Sequence, residues 1–145
     1  MKAVGGTLFF YASDEANGRE LWKSDGTEAG TVMVKDIYSG SSSSNPSSLT
    51  VVNNTLLFHA DNGTNGKELW KSDGTEAGTV MVKDICSGSS GSALEVFWEG
   101  GGTLFFWADD GINGKEMWKS DGTEAGTTMI KDINPGSSGS FLLML

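Results

Sequence analysis

Aspartates recur at a regular spacing in this 145-residue chain, and their carboxylates could do chemistry. Asp25, Asp73 and Asp121 are evenly spaced, and Gly-Thr follows each of them. Such a set could bind a metal ion or a ligand. It could equally close an Asx turn, in which the carboxylate accepts backbone N–H groups and Gly takes a positive φ. Because hairpin chemistry explains the whole Asp-Gly-Thr pattern, we expect structural turns at these positions.

The loops 61–66 and 109–114 partly match the calcium-binding pattern Asp-x-Asn-x-Asn-Gly. Gly63 and Gly111 stand where the middle ligand belongs, and no Glu occupies the twelfth position. Both loops end in Asn-Gly, which is a strong hairpin signal. We therefore expect ordinary turns here, with no metal ion and no cofactor.

His59 and Cys86 are the chain's single histidine and single cysteine. The repeat equivalents of His59 are Tyr11 and Trp107, and a catalytic base is not expected to alternate with Trp. Since no Ser-His-Asp or Cys-His arrangement is apparent, we predict no catalytic residue and a protein that is not an enzyme. The alternative is a sialidase- or glycosidase-type hydrolase that uses carboxylates in a channel, because carboxylates are plentiful.

Tyr11, His59 and Trp107 place one ring at the end of the same strand in each repeat. These rings could simply pack at the strand end. They could also be presented at a face of the molecule, where rings stack on sugars or accept peptide segments. We predict them as the ligand-binding residues, for a carbohydrate or protein ligand. A net charge of −9 disfavours nucleic acid as a partner.

One stretch, residues 20–37, organises the chain. It returns as residues 68–85, and again as 116–133 with three substitutions. The repeat period of about 48 residues is typical of solenoids, propellers and arrays. Within the second copy, β-branched and aromatic runs separated by Gly, Asn and Asp predict four short strands. The predicted strands are 48–52, 55–60, 67–72 and 79–85.

The strand containing Phe9 and Phe10 is apolar on both alternating faces, as in a sheet that is packed between two others. Together with the period, this predicts an all-β β-propeller of four-stranded antiparallel blades; a β-solenoid is the rival architecture. We place the blades at about 1–44, 45–92 and 93–140. The Ser-Gly runs between them are expected to be ordered crossovers.

Three further residue types recur once per repeat. We expect the tryptophans to form the core between blades, and the Glu and Lys residues beside them to be rim charges. The residues are Trp22, Trp70 and Trp118; Glu20, Glu68 and Glu116; and Lys23, Lys71 and Lys119.

The two ends of the chain are complementary in phase. Residues 141–145 align with 93–97, and residues 1–4 align with 49–52. We expect 141–145 to share one strand with the N-terminus of another chain. Three blades are too few for a propeller, which has about four to eight. We therefore predict a closed homo-oligomer, most simply a homodimer with a six-bladed ring.

The sequence Glu-Leu-Trp-Lys-Ser-Asp-Gly-Thr, starting at Glu20, resembles the bacterial ELWxxDGT-repeat proteins in all three copies, with Met117 replacing Leu in the third. The strand order resembles kelch blades, and the Ser-Asp-Gly-Thr turn resembles the Asp-box hairpin, although here Asp and Gly are adjacent. The resemblance implies a propeller-like repeat from a secreted or cell-surface parent, without one established activity. In this chain, residues 1–6 do not read as a signal peptide, and no apolar run is long enough for a membrane span.

Overall fold

A computed structural model describes residues 1–140, and the regular elements of this part of the chain are all strands. The strand that we expect to be shared between chains involves 141–145, which lie outside the described residues. Within residues 1–140 there is no helix that could cross a membrane.

Three four-stranded antiparallel sheets follow one another along the chain, each with its strands in sequential order. The first sheet contains β1 (Lys2–Val4), β2 (Thr7–Asp14), β3 (Gly18–Ser24) and β4 (Val32–Lys35). The second contains β5 (Ser47–Val52), β6 (Thr55–Asp61), β7 (Lys67–Ser72) and β8 (Val80–Lys83). The third contains β9 (Glu95–Gly100), β10 (Thr103–Asp109), β11 (Lys115–Ser120) and β12 (Thr128–Lys131). The all-β prediction and its unit of four antiparallel strands are therefore confirmed.

Two-residue turns connect the first two strands of each sheet. In the second sheet, Val52 pairs with Thr55, and both Asn53 and Asn54 between them have positive φ, at 47° and 62°. A hairpin turn of this twist needs two such residues, which Asn tolerates. Gly-Gly pairs with positive φ take the same place in the first and third sheets. The local sequence thus sets the register of each hairpin.

The last strand of each sheet is shorter than its apolar pattern predicts. In the second sheet we expected residues 79–85, whereas β8 ends at Lys83. Thr79 belongs to the preceding turn, where its N–H donates to Glu76 O at 3.2 Å. The N–H of Ile85 donates to the Glu68 carboxylate instead of to a neighbouring strand. The pairing between β7 and β8 therefore ends before Ile85, because the Glu68 side chain accepts the hydrogen bond from its N–H group.

Apolar side chains fill two interfaces between the sheets. One cluster joins the first sheet to the second; its larger members include Phe9, Leu21, Leu56, Phe58 and Trp70. The other joins the second sheet to the third and uses the positions one repeat further on, namely Leu57, Leu69, Leu104, Phe106 and Trp118. Trp70 and Trp118 thus lie in the core between sheets, as expected. The same interface is built twice.

The sheets approach one another closely through their first strands, β1 to β5 and β5 to β9. The crossovers between sheets are held tightly as well. Gly66 and Gly91 have positive φ, and a Cβ on Gly66 would lie 2.4 Å from Gly91 N. No larger side chain fits between two backbones at this separation. The Ser-Gly run 87–92 is accordingly an ordered crossover packed against the start of β7.

Candidate functional site

The recurring aspartates close turns. Asp73 Oδ1 accepts from Thr75 N at 2.8 Å and from Thr75 Oγ1 at 2.7 Å. Thr75 Oγ1 in turn accepts from Gly78 N at 2.9 Å. The hydrogen bonds from Thr75 hold the pKa of Asp73 below its usual value. Asp25 and Asp121 make the same bonds. The arrangement is the Asx turn that we expected.

The recurring glutamates are not rim charges, so that expectation is wrong. Glu68 is fully buried, and its carboxylate accepts from Ile85 N and Cys86 N, both at 3.1 Å, and from Ser92 Oγ at 2.7 Å. Burial raises the pKa of Glu68 to about 7, against the effect of these hydrogen bonds. Glu20 and Glu116 bind their own crossovers in the same way. The physical reason is that a buried crossover needs acceptors for its N–H groups.

The lysines next to the tryptophans reach across to the following sheet. Lys23 Nζ donates to Gly74 O at 2.6 Å, and Lys71 Nζ donates to Gly122 O at 3.0 Å. Each contact is a charge-assisted hydrogen bond from the third strand of one sheet to a backbone oxygen in the turn after the third strand of the next sheet. The sequence indicates lysines at the rim but not their carbonyl acceptors, because every residue has a backbone oxygen and its residue type does not show which lysine will contact it.

The three aromatic positions are not equally exposed. Tyr11 is 49 % exposed, with the Arg19 guanidinium 5.6 Å from its ring centre, whereas His59 is 8 % exposed and Trp107 5 %. In the second and third sheets the first strand pairs with the residue at this position, Ser47 with His59 and Glu95 with Trp107. In the first sheet this pairing ends at Lys2 and Phe9. Tyr11 is therefore the ring that a ligand can reach, and the ligand-binding role of the three positions remains a prediction.

His59 contacts a hydroxyl and no carboxylate among residues 1–140. Its Nε2 lies 2.6 Å from Ser47 Oγ, and its Nδ1 is buried without a hydrogen-bond partner in that part of the chain. The ring packs on Phe97, with 5.3 Å between ring centroids. Burial, assisted by the charge of Lys67, lowers the pKa of His59 to about 4. The imidazole is therefore neutral at pH 7, but no acidic residue among positions 1–140 orients it as in a catalytic triad.

This buried imidazole predicts a loss of stability in acid. The pKa of His59 is about 4 when folded and about 6.5 when unfolded, so between these values the unfolded chain binds the extra proton. Stability from this group is present above pH 6.5 and falls as the pH decreases towards 4, by up to about 3 kcal/mol. The check is urea unfolding at pH 7 and pH 4.5, with His59→Phe as the control. Other groups titrate alike in both proteins, so an equal pH dependence in the two would contradict this linkage.

Cys86 carries no chemistry in this environment. It is buried, its thiol faces Gly111 in the loop between β10 and β11, and burial raises its pKa, so the thiolate that would react is suppressed.

Comparison with known proteins adds no relative: no protein-family model, no curated protein and no solved structure matches this chain.

Proposed function

We propose that this chain is a non-catalytic β-propeller module for assembly and ligand binding, and that two copies complete a six-bladed ring. Each sheet would be one blade, with its first strand nearest the axis. The approach of β1 to β5 and of β5 to β9 supports this arrangement, since propeller blades radiate from a central channel. So does the reuse of one interface between successive sheets.

The observation that carries the assembly proposal is a pair of uncovered sheet faces. Leu8, on the outer face of the first sheet, is 38 % exposed, whereas its equivalents Leu56 and Leu104 are fully buried. On the outer face of the third sheet, Ile130 is 46 % exposed, whereas its equivalent Val82 is 6 % exposed. These faces are the two halves of the interface that the chain already builds twice. A second copy supplies both missing halves at once and leaves no apolar sheet face in water.

A non-catalytic role is supported by the use of the recurring carboxylates. The three glutamates are buried acceptors for crossover backbone, and the three aspartates close turns. Each of these carboxylates thus has a structural use in its own repeat. For the ligand we propose a glycan or a protein segment that stacks on Tyr11 beside the Arg19 guanidinium in the unassembled chain, because a first strand completed by the second copy would cover Tyr11 as β9 covers Trp107. A glycan array that compares the protein with Tyr11→Ala searches for it directly.

The assembly proposal is tested by the native mass of the protein. We expect twice the chain mass of 15.3 kDa at micromolar concentration, since an interface like the internal ones is apolar and extensive. Light scattering after size-exclusion chromatography measures this mass. A folded monomer under these conditions, or a mass that grows with concentration as in an open filament, would contradict the closed dimer.

A further inference from the structure

Two lysines of the first sheet, and two of the second, donate hydrogen bonds to backbone carbonyl groups of the following sheet. Besides Lys23 and Lys71, whose acceptors are Gly74 O and Gly122 O, a second pair donates from the last strands of the first and second sheets. The members of this pair are Lys35, which donates to Thr79 O, and Lys83, which donates to Thr127 O, both at 3.0 Å. Every donor and every acceptor moves by one full repeat between the two interfaces. The next members of both series can therefore be named.

The next donors are on the third sheet and have no acceptor within residues 1–140. Lys119 follows Lys71, and Lys131 follows Lys83; both side chains are exposed, whereas their predecessors are half-buried. Ile130 and Ile133 lie beside them, also exposed, and their equivalents Val82 and Ile85 are buried. The third sheet thus carries a complete but unused donor face.

The corresponding acceptors are on the first sheet. Gly26 is equivalent to Gly74, and Thr31 is equivalent to Thr79. In the ring, the acceptors that follow Gly122 O and Thr127 O are therefore Gly26 O and Thr31 O of the next copy. Gly26 and Thr31 are exposed, whereas Gly74 and Thr79 are buried beneath the lysines of the preceding sheet. No side chain of residues 1–140 donates to Gly26 O or Thr31 O.

A backbone contact follows the same series. Asp61 N donates to Ser44 O at 2.9 Å, and Asp109 N donates to Ser92 O at 2.8 Å, each across an interface. The third pair in this order is Ser13 N and Ser140 O. These two atoms lie at opposite ends of the stack of sheets and have no hydrogen bond to each other within the chain.

From these three series we infer that the third sheet of one copy docks on the first sheet of a second copy, with Lys119 donating to Gly26 O and Lys131 to Thr31 O of that copy. This inference rests on the proposed two-copy ring and specifies its junction. It is a head-to-tail contact, made twice in the ring. It differs from a dimer in which like faces meet, because third sheet on third sheet would place lysines against lysines, and first sheet on first sheet would place carbonyl groups against carbonyl groups.

The first test compares Lys119→Met with Lys71→Met. The two lysines are equivalent in the repeat, but Lys71 acts inside the chain and Lys119 would act between copies. Losing a bond from a charged donor twice per ring should weaken the dimer at least about tenfold in dissociation constant for Lys119→Met. For Lys71→Met the dissociation constant should change less than about threefold while the melting temperature falls. Dilution in the analytical ultracentrifuge measures both constants, and equal effects would overturn the assignment.

The second test mixes two chains, each with one damaged face. Leu8→Asp disables the first sheet, and Ile130→Asp disables the third; both side chains are exposed in the single chain, so folding should survive. If unlike faces meet, each variant alone is monomeric, and the mixture forms a one-to-one complex through its one intact junction. If like faces meet, Leu8→Asp dimerises alone through its third sheet, which overturns the inference but not the ring. A monomeric wild type would instead overturn the proposed function itself.

Discussion

Replacing Leu8 by aspartate is expected to turn the dimer into a folded monomer. Leu8 lies at a position where the second and third sheets bury leucine completely, at Leu56 and Leu104. At a junction between copies its side chain would be buried in the same way, and a carboxylate there has no partner. Burying that charge twice per ring should raise the dissociation constant by more than about 100-fold. Mass photometry across a dilution series measures the change.

The control for this prediction is Ile112→Asp. Ile112 is 75 % exposed and lies in the loop between β10 and β11, next to Gly111, which faces Cys86 of the preceding repeat. The same chemical change there should leave the dissociation constant and the circular dichroism spectrum unchanged. If Leu8→Asp dimerises as tightly as Ile112→Asp, the first sheet's outer face is not an interface.

Replacing Glu68 by alanine is expected to cause a large loss of stability. The change removes the acceptor for Ile85 N, Cys86 N and Ser92 Oγ. It leaves the two N–H groups buried without a partner, and Ser92 Oγ with only a long contact of 3.4 Å to Lys67 O. The summed cost should be about 3–5 kcal/mol in the free energy of unfolding. Urea denaturation at one protein concentration and pH 7 gives the value.

Two matched variants sharpen this measurement. Glu76→Ala removes an exposed carboxylate from the turn that follows β7 and should change stability by less than about 0.5 kcal/mol. Glu68→Gln keeps one oxygen acceptor in nearly the same shape, so it should recover a large part of the loss. A cost for Glu68→Ala no greater than that for Glu76→Ala would show that the buried carboxylate does not hold the crossover.

The pH dependence of Glu68 works in the opposite direction to that of His59. The pKa of Glu68 is raised to about 7 in the folded chain, above its ordinary value of 4.5. Between these values the folded chain binds the extra proton, so the contribution of Glu68 to stability falls as the pH rises from about 4.5 to 7. The pH dependence of stability that arises from Glu68 offsets the one that arises from His59 in the wild type. Each contribution is therefore measured by comparing the wild type with the variant that lacks that residue.

The repeat, the four strands of each unit and their turns could be predicted from the sequence because they follow from local chemistry. Short apolar runs bounded by turn residues define strands such as β6, and residues that tolerate positive φ, such as Asn53 and Asn54, define the hairpins within a few positions. Asp73 and Thr75 form their turn within a few residues, so the structural role of Asp73 could also be predicted. No distant part of the chain is needed for any of these.

Accessibility was decided by the tertiary structure, because it depends on which sheet lies opposite. Glu68 has the residue type of a surface charge, yet the crossover that contains Ile85 and Ser92 folds over it. Tyr11 and Trp107 occupy equivalent positions, but only the strand beside Trp107 extends far enough to cover its ring. Sequence repetition makes the three units alike in their bonds. Their order in the stack makes them unlike in their surfaces, and only the folded chain shows which faces meet water.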